Sequence, residues 1–341
     1  MEILFEVKNS TGVITLSRPK ALNALNLNMA IKLSKKLKEW EDDNAVERVI
    51  LLGEGNHFCA GGDVKSVHLS GPFSELKREF FSKEYSLNLQ IKNFPKPYLS
   101  IWKGVVMGGG VGLSIYGDYR IATDSTKFAM PETSIGFFPD VGGSFFLSRM
   151  ENNIGKYLGL TGELIHCKDL LNFGLATHYC PEDKLEILIN QYILDGSIVS
   201  HEIKNSSSFS EEKLDFINKN FTGDIYEILK KIAAKQDQDN LLNRLLSKCP
   251  MSLAVTTLLI NNSSKRTLKE CLEIEYRLSQ KMVNRHDFGE GIDAVLIEKH
   301  HNPQWQPSST KEINLEDLNK IFASSIAVSY THLRAHETQS D

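Results

Sequence analysis

The sequence predicts an α/β fold with a largely parallel sheet, followed by a helical C-terminal region. In the first half, strand-like segments alternate with segments of helical period, and most of the strand-like segments are apolar on both faces. Strands buried on both faces are typical of parallel sheets that helices cover on both sides. Beyond about residue 185, stretches of helical period dominate.

The N-terminal elements predict a strand, strand, helix unit. Residues 3–8 and 12–17 alternate between apolar and polar side chains, and Thr11-Gly12 between them predicts a hairpin turn. The next segment carries an apolar stripe at helical spacing, formed by Met29, Leu33, Leu37 and Trp40. This stripe predicts a helix that packs on the strands.

Three further apolar segments, residues 48–55, 97–104 and 118–123, predict buried strands of the same sheet. We therefore expect a core that holds the active site over residues 1–190, and a helical region that packs on this core over residues 191–323.

Composition narrows the classes of function. The chain has 341 residues, of which 41% are hydrophobic and 24% charged, and a net charge of −4, as expected for a protein with a large buried core. No basic stretch is interleaved with aromatic residues, so nucleic-acid binding is not expected. No window approaches the roughly 18 apolar residues that a membrane span needs. The five cysteines are widely spaced without a CxxC pair, which indicates a reducing, intracellular environment.

The two ends of the chain differ in character. The N-terminus runs straight into strand-like sequence, so no presequence is visible. Residues 324–341 are polar, aperiodic and unlike the preceding sequence, and we expect them to be a non-native tail.

Two glycine-rich turns are candidates for binding an anion or an oxyanion. In "MGGGVGLS", Gly108–Gly110 stand between a predicted strand and a predicted helical run, where backbone N–H groups are free to face a ligand. The alternative is a tight turn without a function. The second turn, "GNHFCAGGD" at residues 55–63, offers a partner N–H group, whereas its Asp63 is well explained as a helix N-cap.

The segment "MPETSIGFFPDVGG" places two acids, Glu132 and Asp140, among apolar residues and turn formers. In an extended chain they would lie about 26 Å apart, so they can cooperate only if the chain bends between them. Gly136 and Pro139 permit such a bend. Asp140 has an alternative interpretation as a helix N-cap, whereas Glu132 has no comparable structural explanation.

Together, these motifs resemble the crotonase (enoyl-CoA hydratase/isomerase) superfamily. The resemblance covers roughly residues 3–322 and rests on "SRPKALNALN", "FCAGGD", "PYLSIWKGVVMGGGVGLS", "FAMPETSIGFFPDVGG", "TLKECLEIEYRLSQKMV" and "HDFGEGIDAVLIEK". It implies a crotonase-like spiral of strand, strand, helix (ββα) units followed by a helical C-terminal region. It also implies an acyl-CoA thioester substrate, whose carbonyl oxygen is held by the backbone N–H groups of Gly109 and, in the turn around Ala60–Gly62, of Ala60.

The resemblance also implies catalytic roles for the two acids. Hydratases of the superfamily carry one glutamate after the glycine turn and one in the "PE" segment; here the first position is Gly112 and the second is Glu132. The hydrolase branch pairs the "PE" glutamate with an aspartate in "FPD", which is Asp140 here. Hydrolysis of a 3-hydroxyacyl-CoA from valine breakdown is therefore implied. Glu132 would act as nucleophile or general base, and Asp140 would hold the 3-hydroxyl group and act as the acid.

Further contacts are implied, and alternatives stay open. Glu84, Gly108 and Gly62 are implied to bind the substrate, although Glu84 on a charged helix would otherwise be expected to face solvent. No metal or cofactor is implied, since CoA is part of the substrate. The resemblance also suggests a mitochondrial location and leaves a homo-oligomer open. The competing functions are an enoyl-CoA hydratase or isomerase and a non-catalytic, ribosome-associated homologue.

Overall fold

The computed structural model describes residues 1–203, 206–236 and 238–322, and the predicted tail at residues 324–341 lies outside the described residues. The strands are β1 (Ile3–Lys8), β2 (Thr11–Leu16), β3 (Arg48–Gly53), β4 (Tyr98–Trp102), β5 (Val105–Met107), β6 (Tyr119–Ala122), β7 (Lys127–Ala129) and β8 (His178–Tyr179). The α-helices are α1 (Leu27–Asp42), α2 (Val64–Leu69), α3 (Glu75–Lys92), α4 (Gly109–Gly112), α5 (Gly143–Leu147), α6 (Ile154–Thr161), α7 (Cys167–Asn172), α8 (Leu185–Asp195), α9 (Glu211–Asn220), α10 (Ile225–Ala233), α11 (Asp239–Leu246), α12 (Pro250–Ser263), α13 (Leu268–Met282), α14 (His286–Ile292) and α15 (Leu315–Phe322).

Within the described ranges, six strands form one sheet in the order β1-β2-β3-β4-β6-β8. β1 and β2 are antiparallel, and the other neighbours in this sheet are parallel. β5 and β7 form a separate parallel pair. The prediction of a largely parallel sheet is therefore confirmed.

The hairpin turn lies earlier in the chain than predicted. Asn9 and Ser10 form it with positive φ angles of 47° and 59°, and Thr11 already belongs to β2. Gly12 is required by packing instead, because a Cβ atom there would lie 2.6 Å from the ring of Trp40. The predicted turn at Thr11-Gly12 is wrong because a glycine needed for close packing looks, in the sequence, like a glycine needed for a turn.

Both faces of the six-stranded sheet are buried. Successive residues of β3 point to opposite sides, so that Val49 joins the main core and Ile50 joins a second apolar cluster. Helix α8 covers this second cluster with Leu188 and Tyr192. The predicted boundary between residues 190 and 191 therefore falls inside a helix that packs on the sheet.

The remaining helices follow the predicted pattern. Helix α1 buries the expected stripe of Met29, Leu33, Leu37 and Trp40. The chain after α8 is helical; α13 packs along α3, and α12 packs on α5 and α6. None of the helices in the described ranges combines the length and the apolar character that crossing a bilayer requires.

Candidate active site

The two glycine-rich turns lie side by side. Cys59 bridges to β5 through two backbone hydrogen bonds: its N–H donates to the Val105 carbonyl (3.1 Å), and its carbonyl accepts from the Met107 N–H (3.0 Å). The turns that follow these two segments therefore run next to each other. A Cβ atom on Gly109 would lie only 2.9 Å from the nitrogen of Gly62.

The backbone N–H groups of Gly62 and Gly109 are the candidate donors at this point, because they lie close together. Neither has a hydrogen-bond acceptor among the described residues. The N–H of Ala60 donates to the carbonyl of Leu22 at 3.0 Å, so the prediction that Ala60 supplies the second donor is wrong. The correct turn was predicted, but the amide group that stays free depends on a partner almost 40 residues earlier in the chain.

The helix after the triple glycine is much shorter than predicted. Helix α4 contains four residues, so individual N–H groups, rather than the dipole of a long helix, face a ligand. A side chain at Gly112 has no room, because its Cβ atom would lie 2.6 Å from Cβ of Val141 and 2.8 Å from Nδ2 of Asn88. The position of the first hydratase glutamate is therefore closed by packing.

Glu132 lies at the start of a 3-10 turn, Glu132–Ile135, that reaches the triple glycine. Its side chain is 6% exposed, and a Cβ atom on Gly108 would lie 2.9 Å from its Oε1. Its Oε2 has no hydrogen-bond partner among the described residues. Burial, and secondly the nearby charge of Asp140, raise the pKa of Glu132 well above its usual 4.5. The carboxyl is thus both close to the glycine turn and free to interact with a ligand.

Asp140 lies near Glu132 because the chain bends between the two acids, as predicted. Gly136 ends the 3-10 turn in the left-handed region, with φ of 69°. The Asp140 carboxyl accepts a hydrogen bond from the hydroxyl of Tyr85 at 2.7 Å. Burial raises its pKa from 3.8 to about 7, although the Tyr85 hydrogen bond acts in the opposite direction. The alternative interpretation as an N-cap is wrong, because Gly142 is the N-cap of α5 and no side chain caps that helix.

Glu84 completes a cluster of three carboxyls. It lies on α3 and is 2% exposed, so the expectation of a solvent-facing residue is wrong and the contact implied by the resemblance is sterically available. A Cβ atom on Gly109 would collide with its Oε1, which has no partner among the described residues. The pKa of Glu84 is raised well above 4.5. Burial is the main cause, and the nearby charges of Asp140 and Glu132 raise it further. Glu132 and Asp140 are therefore close enough to Glu84 to disfavour its charged form.

Two supporting residues were missed in the sequence. Tyr85 follows Glu84 directly on α3, and its hydroxyl holds Asp140. Glu275 on α13 is fully buried; it accepts hydrogen bonds from the N–H of Gly142 (2.6 Å) and from the N–H (3.0 Å) and the hydroxyl (2.6 Å) of Ser144. Burial raises the pKa of Glu275 to about 8.

A sequence signal for Glu275 existed, because it lies on an apolar stripe at helical spacing. The buried members of that stripe are Leu268, Cys271, Leu272, Leu278 and Met282. An acid on such a stripe is expected to be buried and to have partners. The structure also holds, within the ranges described, no group of three His, Cys, Asp or Glu residues arranged as a metal site.

Comparison with known proteins identifies the family to which the chain belongs. Residues 11–322 match the family model of enoyl-CoA hydratase/isomerase, and the chain belongs to this family. Two relatives are named "3-hydroxyisobutyryl-CoA hydrolase, mitochondrial". The one from Homo sapiens is 39% identical over 95% of this chain and 89% of its own length. The one from Danio rerio is 40% identical over 95% and 90%, respectively.

Solved structures of the family share the fold. A structure titled as a carnitinyl-CoA dehydratase from Mycobacterium thermoresistibile has a TM-score of 0.89 and 34% identity, covering 96% of this chain and 97% of its own. An enoyl-CoA hydratase from Rhodobacter sphaeroides 2.4.1 has a TM-score of 0.89 and 32% identity, covering 95% and 97%. The predicted crotonase-like α/β fold is thereby confirmed.

Proposed function

We propose that the chain hydrolyses 3-hydroxyisobutyryl-CoA to 3-hydroxyisobutyrate and CoA. The observation that carries the proposal is the buried pair Glu132 and Asp140 beside two free N–H groups, with no room for a side chain at Gly112. The names of the two relatives support the same substrate. A hydratase that needs a second glutamate at position 112 fits this packing poorly.

The N–H groups of Gly62 and Gly109 hold the carbonyl oxygen of the thioester. When the carbonyl carbon becomes tetrahedral, its oxygen gains negative charge, and two fixed donors stabilise that charge more than they stabilise the substrate. Loss of one such donor typically lowers the rate by about 10² to 10³.

Glu132 provides either the base or the nucleophile. As a base, it takes a proton from water while the water oxygen attacks the carbonyl carbon, and the C–S bond then breaks to release CoA. As a nucleophile, its carboxylate attacks the carbonyl carbon, expels the thiolate of CoA and forms an anhydride that water cleaves. Transfer of ¹⁸O from labelled water into Glu132 during a single turnover would demonstrate the anhydride route.

Asp140 and Glu84 complete the chemistry. Burial raises the pKa of both Glu132 and Asp140, and in this proposal the pair reacts when it holds one proton and that proton is on Asp140. Asp140 binds the 3-hydroxyl group and delivers its proton to the departing sulfur. Glu84, whose pKa burial raises, remains uncharged and donates a hydrogen bond toward the thioester next to Gly109.

The reaction involves no metal or organic cofactor in this proposal, because water and the carboxyls supply every oxygen and proton that it needs. CoA enters only as part of the substrate. The names of the relatives support a mitochondrial location. A homo-oligomer remains a prediction, and the retained carboxyls argue against a non-catalytic homologue.

Steady-state release of free thiol from 3-hydroxyisobutyryl-CoA, compared with acetyl-, crotonyl- and 3-hydroxybutyryl-CoA, tests this function. We expect 3-hydroxyisobutyryl-CoA to be the best of the four substrates, and Glu132→Gln and Asp140→Asn to lower kcat at least about 10²-fold while the proteins stay folded. Near wild-type rates in both folded variants would contradict the assignment. Loss of crotonyl-CoA absorbance without thiol release would identify a hydratase instead.

A further inference from the structure

Asn88 on α3 is a buried polar residue that the proposed chemistry does not yet use. Its side chain is fully buried, and neither its amide nitrogen nor its amide oxygen has a hydrogen-bond partner among the described residues. Folded proteins rarely leave both ends of a buried amide unpaired, because both ends lose their hydrogen bonds to water. Such an amide retains donors and an acceptor for a ligand.

Asn88 lies on α3, the helix whose Glu84 contacts the candidate oxyanion donor Gly109. Asn88 lies four residues, about 6 Å along the axis of α3, after Glu84, so both side chains lie on the same face of the helix. Both side chains contact the segment that begins with the triple glycine, and the later residue on α3 contacts the later glycine. Oε1 of Glu84 lies against Gly109, and Nδ2 of Asn88 lies 2.8 Å from the Cβ position of Gly112. Asn88 is therefore displaced by about one turn of helix from Glu84, the residue that contacts the candidate oxyanion donor Gly109.

The neighbours of Asn88 also connect it to Asp140. Val141 follows Asp140 directly in the chain, and its Cβ lies 2.6 Å from the same Cβ position of Gly112. Tyr85, three residues before Asn88 and on the same side of α3, donates its hydroxyl proton to Asp140. The unpaired amide of Asn88 thus lies against the segment that follows Asp140, on the face of α3 whose Tyr85 holds the Asp140 carboxyl.

We propose that Asn88 forms a recognition site for the 3-hydroxyl group of the substrate. A hydroxyl group donates one hydrogen bond and accepts others. In this arrangement it donates to Asp140 and accepts from Nδ2 of Asn88. The hydroxyl oxygen is bonded to the second carbon beyond the thioester carbonyl, so its recognition site must lie beyond Gly109, and Asn88 contacts the same glycine-rich segment at Gly112. The inference rests on the proposed function and makes the site selective for 3-hydroxyacyl over unsubstituted acyl thioesters.

The test compares 3-hydroxyisobutyryl-CoA with isobutyryl-CoA, which has the same carbon skeleton without the hydroxyl group. Asn88→Leu removes the amide and keeps the branching and the number of side-chain heavy atoms. We expect kcat/KM for the hydroxylated substrate to fall about tenfold, while the value for isobutyryl-CoA changes less than about twofold. Asn88→Ala provides the same comparison with a smaller side chain that has no hydrogen-bonding group if the leucine variant does not fold.

Ser100→Ala is the matched control. The hydroxyl of Ser100 is also buried and without a partner among the described residues, but it lies on β4 of the large sheet, so its removal should leave the substrate ratio unchanged. An unchanged ratio in the folded Asn88 variants would overturn the inference and leave Asn88 a purely structural residue. Failure of the wild-type protein to hydrolyse 3-hydroxyisobutyryl-CoA would instead refute the proposed function, so the two failures are distinguishable.

Discussion

Replacing Asp140 by asparagine should stabilise the fold at high pH while it removes activity. Burial raises the pKa of Asp140 from 3.8 to about 7, so the folded protein holds this proton more tightly than the unfolded chain does. That stabilisation is fully present below the unfolded pKa and is lost as the pH rises through about 7. Above this range the buried charge destabilises the fold by about 4 kcal/mol, since the pKa difference is about three units at about 1.4 kcal/mol each. Asparagine keeps the shape and an acceptor for Tyr85.

Urea unfolding of the wild-type protein and Asp140→Asn at two pH values measures this effect. The difference in free energy of unfolding between the two proteins should be about 2 kcal/mol larger at about pH 8.5 than at about pH 5.5, with the variant favoured at the higher pH. Comparing two pH values removes any constant effect of the substitution on packing. Asp42→Asn is the control, because the side chain of Asp42 is 79% exposed and its replacement should produce no such trend. A difference that stays constant or shrinks with pH would refute the idea that Asp140 is a buried acid with a raised pKa.

Three further predictions follow from the same geometry. The kcat/KM for 3-hydroxyisobutyryl-CoA should fall as the pH rises through about 7, because Asp140, the proposed acid, then loses the proton that it delivers to the sulfur; a flat profile from about pH 5 to 8 would contradict this. Tyr85→Phe should move that limb to higher pH by about one unit, because the lost hydrogen bond stabilised the Asp140 carboxylate; an unmoved limb in the folded variant would exclude the role of Tyr85. Glu275→Gln should lower the free energy of unfolding by about 2 kcal/mol in urea titrations, because one amide oxygen cannot accept all three hydrogen bonds from Gly142 and Ser144; wild-type stability would show that the loop does not depend on Glu275.

The sequence contained strong information about local structure and about the first candidate residues. The apolar runs at β3 and β4 predicted strands buried on both faces, and the stripe on α1 predicted its packing face. Glu132 and Asp140 were singled out because acids are costly to bury and these two stood in an apolar segment. Both glycine turns were also candidates from their residue types alone, and the resemblance then assigned them the role of holding the thioester carbonyl.

What the sequence did not determine was the partner of each group. Ala60 and Gly62 stand in one turn; the N–H of Ala60 is engaged by the carbonyl of Leu22, whereas the N–H of Gly62 has no acceptor among the described residues and lies next to Gly109. Glu84 looks like a surface acid in a charged segment, and it is buried because α3 packs against the glycine turn.

The sequence by itself determined the class of fold, the order of the elements and which acids and turns were candidates, because these depend on periodicity and residue type over a few neighbouring positions. The tertiary structure decided which amide is free, why Gly112 accepts no side chain, and how Tyr85 and Glu275 hold the loop of Asp140. These outcomes depend on contacts between segments far apart in the chain. Burial and the pKa of a carboxyl are properties of such contacts, and no local pattern specifies them.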